Sequence, residues 1–160
     1  DGKEKKPGVT VTDWLGDPIS KSEYTVTYPK SAKNVGKYTV TIKFKNHYTG
    51  TEKRTFTINP KGTSVSKVTS PKKAQLKVTW KKQATQTTGY QVQYSTSSKF
   101  KSAKTVTISK NKTTSKSVSK LSAKKKYYVR VRTYKTVKIG GKSVKLYSGW
   151  SKAKSVTTKK

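Results

Sequence analysis

No cysteine or methionine occurs in the chain, so neither a disulfide nor a thiolate metal site can form. Histidine is reduced to one residue, His47. The only acids are Asp1, Glu4, Asp13, Asp17, Glu23 and Glu52, all within residues 1–60. From residue 61 onward there is no carboxylate, imidazole or thiol, which removes the groups most used in general acid–base catalysis. In the first half the carboxylates sit in turns or near the terminus without paired spacing, and His47 stands in a polar turn before Tyr48, as a surface turn residue would. No metal-ligand cluster, glycine-rich phosphate loop or nucleophile motif is present. The chain is therefore expected to be non-catalytic and to carry no cofactor. No stretch is long and apolar enough to span a membrane. There is no secretory leader and no Leu-Pro-x-Thr-Gly anchor, and the first residue is Asp1, so the chain reads as an excised fragment whose targeting signals lie elsewhere.

Positive charge is abundant, and it is unevenly spread. Residues 1–60 hold eleven Lys and Arg against the six acids, a balance of +5. Residues 61–160 hold the other twenty-seven with no acid at all, +27 of the total +32. Such a break marks a domain boundary, and it makes the second half self-repelling and attractive to any polyanion. Apolar residues are only 29% of the chain, but 10 Tyr, 3 Trp and 3 Phe, with many Val and Thr, suit half-buried pleated surfaces. Small β domains with thin cores follow, in which each large aromatic counts.

Apolar residues alternate with polar ones almost throughout, the period of strands. Val9 and Val11 alternate with Thr10 and Thr12. Tyr24, Val26 and Tyr28 share one face, as do Tyr38, Val40, Ile42 and Phe44; Phe56 and Ile58 close the first set. Turn residues separate them at Gly16-Asp17-Pro18, Lys33 to Gly36 and Asn46 to Gly50. Asn59-Pro60-Lys61-Gly62 reads as a short, fairly stiff joint between two domains, 1–59 and 60–160. Beyond it the faces are Leu76, Val78 and Trp80; Tyr90, Val92 and Tyr94; Val106 and Ile108; Val118 leading to Leu121; Tyr127, Val129 and Val131; Val144 and Leu146 after a Gly140-Gly141 turn; and Val156. About seven short strands in ~100 residues is a sandwich signature.

Leu76-x-Val78-x-Trp80, Gly89-Tyr90-x-Val92-x-Tyr94, Leu121 with Tyr127, Val129 and Val131, and Ser148-Gly149-Trp150-Ser151 form an ordered set. With it, residues 61–160 resemble a fibronectin type III domain. That resemblance implies a core Trp at position 80 and a tyrosine corner formed by Leu121 and Tyr127, whose buried hydroxyl must find a backbone partner just upstream. Gly2-Lys3, Lys6-Pro7-x-Val9, Tyr24 to Tyr28, Asn34-Val35-Gly36, Tyr48 to Thr51 and Thr55 to Ile58 are similar to a bacterial Ig-like repeat, found in tandem in surface proteins of gut Firmicutes. Another strand normally precedes the Gly-Lys segment in such repeats, so the module is expected to lack its first strand. The lysine-rich style resembles clostridial surface proteins. The expected fold is all-β, two β-sandwich modules in tandem, Ig-like and then fibronectin type III. The resemblance implies a secreted or cell-wall-associated location in a Gram-positive bacterium.

Tyr147-Ser148-Gly149-Trp150-Ser151 looks like the Trp-Ser-x-Trp-Ser box of cytokine-receptor fibronectin domains, with Tyr in the first Trp position. In those domains the box aromatics interleave with arginines. Arg130 and Arg132 alternate with Val129 and Val131 and so point outward, and they are two of only three arginines. A guanidinium lies flat on an aromatic ring where an ammonium does not. A ladder of Arg130, Arg132, Trp150 and Tyr147 is predicted, in a stiffening role. Tyr128 and Tyr134 are read as outward-facing; with Lys124, Lys125 and Lys126 they are the candidate ligand contacts of a carbohydrate-binding or adhesin module. Tyr90, Tyr94 and Tyr127 are read as core. The lysines between residues 99 and 120 read as a solvated face that discourages edge pairing, or as a surface for an anionic cell-wall polymer or polysaccharide. No recognition helix or basic groove with free aromatics supports specific nucleic-acid binding. There is no Arg-Gly-Asp, and the sequon Asn111-Lys112-Thr113 reads as chance. The expected role is a spacer between neighbouring domains of one polypeptide, with weak lysine-driven adhesion.

Overall fold

A computed structural model describes residues 2–160; Asp1, one of the six acids, lies outside the described residues. The chain divides between Ile58 and Asn59 into two compact units. Apart from one short 3-10 turn, Lys21–Glu23, every regular element among the described residues is a strand.

In the first unit β1 (Tyr24–Thr27), β2 (Gly36–Phe44) and β3 (Thr51–Ile58) form one antiparallel sheet in the order β1-β2-β3. Register places Tyr38 opposite Phe56, and the two rings stack at 5.5 Å. Tyr24, Val40 and Ile42 are buried on the inner face. Val9, Val11, Ile19, Val26, Tyr28, Phe44 and Phe56 pack against them.

Two expectations for this half are corrected. The alternation at Val9 and Val11 does not produce a strand. The segment is extended, but its only bridge is Thr12 with Pro18, and Ile19 N donates to Val11 O. Its valines are spent on covering the sheet rather than on joining an edge, and Tyr28 Oη donates to Pro7 O at 2.6 Å. Nor do two facing sheets form among the described residues of this unit. With residues 2–23 used as cover and turns, three strands remain, enough for one sheet.

The second unit has two facing sheets. One joins β4 (Val65–Thr69), β5 (Leu76–Trp80) and β8 (Ser115–Val118) in the order β4-β5-β8. The other runs β10-β9-β6-β7, made of β6 (Gly89–Ser95), β7 (Lys104–Ile108), β9 (Lys126–Ile139) and β10 (Lys142–Tyr147). After β10 the chain returns to the same side of β9 as β11 (Lys154–Thr157). Between the sheets lie Val65, Leu76, Val78, Trp80, Tyr90, Val92, Val118, Tyr127, Val129 and Val131. Tyr94 and Leu121 are only partly buried, at the rim of that core. This is an all-β sandwich, and the inward period-two positions of the sequence are its core.

Two polar anchors make burial of the tyrosines tolerable. Tyr90 Oη accepts from Gln83 N at 2.8 Å and donates to Asn111 O at 2.9 Å. Tyr127 Oη accepts from Ser122 N at 3.2 Å, which ties the chain just after Leu121 to the start of β9. At Gly89 an added Cβ would lie 2.0 Å from Ile108 O and 3.0 Å from the Tyr134 ring, so only glycine fits there. The β9–β10 hairpin turns on Gly140 and Gly141 with φ of 55° and 79°, as a tight primed turn demands.

Leu76 is fully buried in this thin core. Leu76→Ala should therefore cost the second unit about 3 kcal/mol in urea unfolding. Tyr127→Phe, which loses one hydrogen bond at nearly constant volume, should cost about 1 kcal/mol. Near-equal losses from the two variants would contradict this account of the core.

Candidate functional site

The outer face of the sheet containing β6, β7 and β9 carries the most organised side chains of the molecule. Backbone register sets them in rows. Gln93 stands between Thr105 on β7 and Arg130 on β9, and Gln91 between Thr107 and Arg132. Arg130 Nε donates to Gln93 Oε1 at 2.7 Å. Arg132 donates through Nε (2.9 Å) and Nη2 (2.7 Å) to Gln91 Oε1. Each glutamine then donates its amide to the threonine hydroxyl beyond it, at 3.2 Å.

Aromatic rings alternate with the two guanidinia above these rows. Arg130 Cζ lies 3.9 Å from the Phe100 ring centre and 4.8 Å from Trp150. Arg132 Cζ lies 4.3 Å from Trp150 and 3.9 Å from Tyr147. The stack reads Phe100, Arg130, Trp150, Arg132, Tyr147. Tyr147 leans on Tyr134 at 6.1 Å, and Lys145 Nζ lies 5.3 Å from the Tyr134 ring. Each cation–ring contact is worth about 0.5–1 kcal/mol where exposed and about 2 when desolvated. Burial pushes both guanidinia below their ordinary pKa, yet arginine stays charged at any physiological pH.

Ser148 and Ser151 explain how Trp150 reaches this position. Between β10 and β11 the chain bulges: Ser148 and Ser151 stand three residues apart, opposite Thr133 and Val131, two apart. Ser148 N donates to Thr133 O (3.1 Å) and Ser151 N to Val131 O (2.8 Å). In return Thr133 N and Val131 N each donate, at 3.0 Å, to the hydroxyls of Ser148 and Ser151. The hydroxyls replace the carbonyl acceptors lost at the bulge, and the extra residue turns Trp150 over the sheet.

Arg130, Arg132, Trp150 and Tyr147 are thus brought together, and Leu121 and Tyr127 meet at the corner already described. The expected ligand contacts are not brought together. Tyr134 is a correction: it has outward parity but is only 2% exposed. It lies over the bare backbone of Gly89, its register partner, and Tyr147 closes it from the side. Removal from water raises its phenol pKa, with the neighbouring Tyr147 adding to the effect. Tyr128 is half-buried under Lys126, whose Nζ is 5.5 Å from the ring. It lies six residues along β9 from Tyr134, about 20 Å at strand spacing. Lys124, Lys125 and Lys126 are exposed, in the turn and at the first residue of the strand. The sequence reading missed Phe100, Gln91, Gln93, Thr105 and Thr107. The Gln-x-Gln and Thr-x-Thr spacings matching Arg-x-Arg were a usable signal for four of them; Phe100 sits in a loop with no period.

In the first unit His47 is exposed and its N and Nδ1 both lie 3.2 Å from Glu23 Oε2. The backbone N–H of His47 is the main cause that holds the Glu23 carboxyl below the usual range; partial burial opposes it, and the His47 ring and Ser22 help it. Among the described residues no group of acids and histidine could hold a metal ion, and no helix is long and apolar enough to cross a membrane.

Residues 58–148, more than half of the chain, match the family model described as fibronectin type III domain. No curated protein matches. Among solved structures, the chicken CNTN1 FN1-FN3 domains are 20% identical with a TM-score of 0.53, over 79% of this chain and 44% of that one. The fn3 domain of human collagen alpha-1(XX) chain is 18% identical with a TM-score of 0.48, over 63% of this chain and 87% of that one. Domains A168-A170 from titin are 19% identical with a TM-score of 0.41, over 90% and 52%. At such identities the CNTN1 likeness speaks to the fold alone.

Ser148→Ala should leave the buried Thr133 N–H without its acceptor and cost about 1–3 kcal/mol. A double-mutant cycle of Arg132→Ala with Trp150→Ala should give a coupling of about 0.5–2 kcal/mol by urea unfolding; additive losses would mean that the stack carries no energy of its own. Because the folded-state pKa of Glu23 is depressed, its contribution is present above the unfolded value near 4.5 and is lost as pH falls through the folded value. Acid unfolding of the first unit should be shallower in Glu23→Gln; an unchanged profile would refute this.

Proposed function

The chain belongs to the fibronectin type III family, and from that premise we propose that it is a non-catalytic spacer segment of a larger extracellular protein. Domains of this family commonly act as spacers or scaffolds and are generally non-catalytic. The observation that carries the reading is the filled ladder. Every guanidinium on the outer face of the sheet is held between rings and by a glutamine, so this face offers a stiffened surface rather than an open platform.

On the same reading, the first unit is a bacterial Ig-like repeat short of a strand, in a secreted or wall-associated protein of a Gram-positive bacterium. Its sequence motifs support this. The neighbouring domains of the polypeptide are its principal partners. The +27 surface of residues 61–160 adds weak adhesion to anionic wall polymers. A groove of about 240 Å³, lined in part by Tyr94, Leu121 and Tyr127, also carries Lys101, Lys104 and Lys120 with Ser102 and Ser122; those ammonium and hydroxyl groups suit phosphate or carboxylate and support that part of the reading. Sugar binding through Tyr134 loses its support, because a buried ring offers no face, and the half-buried Tyr128 carries Lys126 against its ring.

Co-sedimentation of the whole chain with purified Gram-positive cell walls, with and without their teichoic acids, tests the adhesion. Retention should fall as salt shortens the Debye length below about 8 Å, and it should vanish on stripping. No retention near physiological salt would remove adhesion and leave a plain spacer.

A further inference from the structure

Trp14 is 90% exposed and Leu15 66%. The other two indoles are engaged: Trp80 is buried and Trp150 lies between guanidinia. The exposed pair does not sit on a loose loop. Asp13 Oδ1 accepts from Leu15 N and from Asp17 N, both at 2.9 Å. Asp13 N donates to Asp17 O at 2.9 Å, and Gly16 N to Asp13 O at 3.2 Å. Gly16 supplies the positive φ, 92°, that closes the turn. Five residues are tied by four hydrogen bonds, and the tip they hold outward is an indole. A turn whose backbone is already fixed loses little further backbone entropy on binding.

We propose that the Asp13–Asp17 turn is a saccharide-binding site, with the Trp14 indole stacking on the face of a neutral pyranose and the Asp17 and Asp13 carboxylates accepting from its hydroxyls. Asp17 and Asp13 Oδ2 have no donor among the described residues. The chain has six acids against 38 basic residues, and two of the six flank this one ring. Their placement selects the ligand class. Two acids within three residues of the indole disfavour an anionic lipid surface. Two side chains are far too small a patch for a protein partner, which needs about 800 Å² per side. An aromatic face beside hydrogen-bond acceptors matches the alternation of C–H faces and hydroxyl edges on a sugar. The site is independent of the lysine surface and, unlike it, should be indifferent to salt.

The test is tryptophan emission and acrylamide quenching of the whole chain, titrated with the hexasaccharides of β-1,4-linked glucose and β-1,4-linked N-acetylglucosamine. At least one should give a saturable emission change and protect an indole from quenching, equally at low salt and at about 0.5 M. Trp14→Ala should abolish the response with an unchanged circular dichroism spectrum. Trp14→Tyr should restore part of it. Asp17→Asn should weaken affinity about ten-fold, or about 1.4 kcal/mol. Absence of any response, or a response that survives Trp14→Ala, overturns the proposal. So does Trp14-dependent binding to phosphatidylcholine vesicles, or Trp14-dependent self-association in sedimentation, without a saccharide response; those outcomes assign the turn to lipid or to a second copy.

Discussion

Residues 61–160 contain twenty-seven cations and no anion, and the arrangement of the second unit follows from that constraint. No salt bridge between side chains can form within it. Almost all of its lysines meet the constraint by staying exposed to water. Two arginines on β9 are partly removed from water and need partners of another kind. They find them in π faces on either side and in the side-chain carbonyls of Gln91 and Gln93. Lysine could not replace them, because only a planar guanidinium can lie flat on a ring while donating in its own plane to an amide.

The ladder depends in turn on a backbone irregularity. A regular last strand would run along β9 without the extra residue that turns Trp150 over the sheet. Ser148 and Ser151 permit the bulge because a hydroxyl two bonds from Cα stands in for the displaced carbonyl. The same strand, β9, carries the corner tyrosine, two core valines, both arginines and the covered Tyr134. Core, outer face and last strand are therefore coupled through one element.

The first unit solves a different problem with fewer means. Three strands give one sheet, and its inner face is covered by an extended segment instead of a second sheet. Only Tyr24, Val40 and Ile42 of its core cluster are fully buried. Acids that are missing from the second unit appear here in local roles: Asp13 ties a turn, and Glu23 holds the β2–β3 loop through His47. Trp14 stands apart from this pattern, being far more exposed than any other aromatic side chain among the described residues.

Much of this was determined by the sequence alone. Alternation at Leu76, Val78 and Trp80, or at Tyr127, Val129 and Val131, specifies a strand and which of its faces is apolar, because side chains alternate with period two whatever the strand pairs with. The acid-free second half and its two outward arginines were legible for the same reason: composition and parity are local. What pairs with a strand is not local. Val9 and Val11 alternate as well as any strand, yet no neighbour edge receives them. Tyr134 has the parity of an exposed residue, yet a glycine on the facing strand and a tyrosine on the next one bury it. Phe100 has no period at all, and only the path of its loop brings it over Arg130. Parity decides a side chain's direction. Its burial depends on which residues other strands place beside it, and only the tertiary structure decides that.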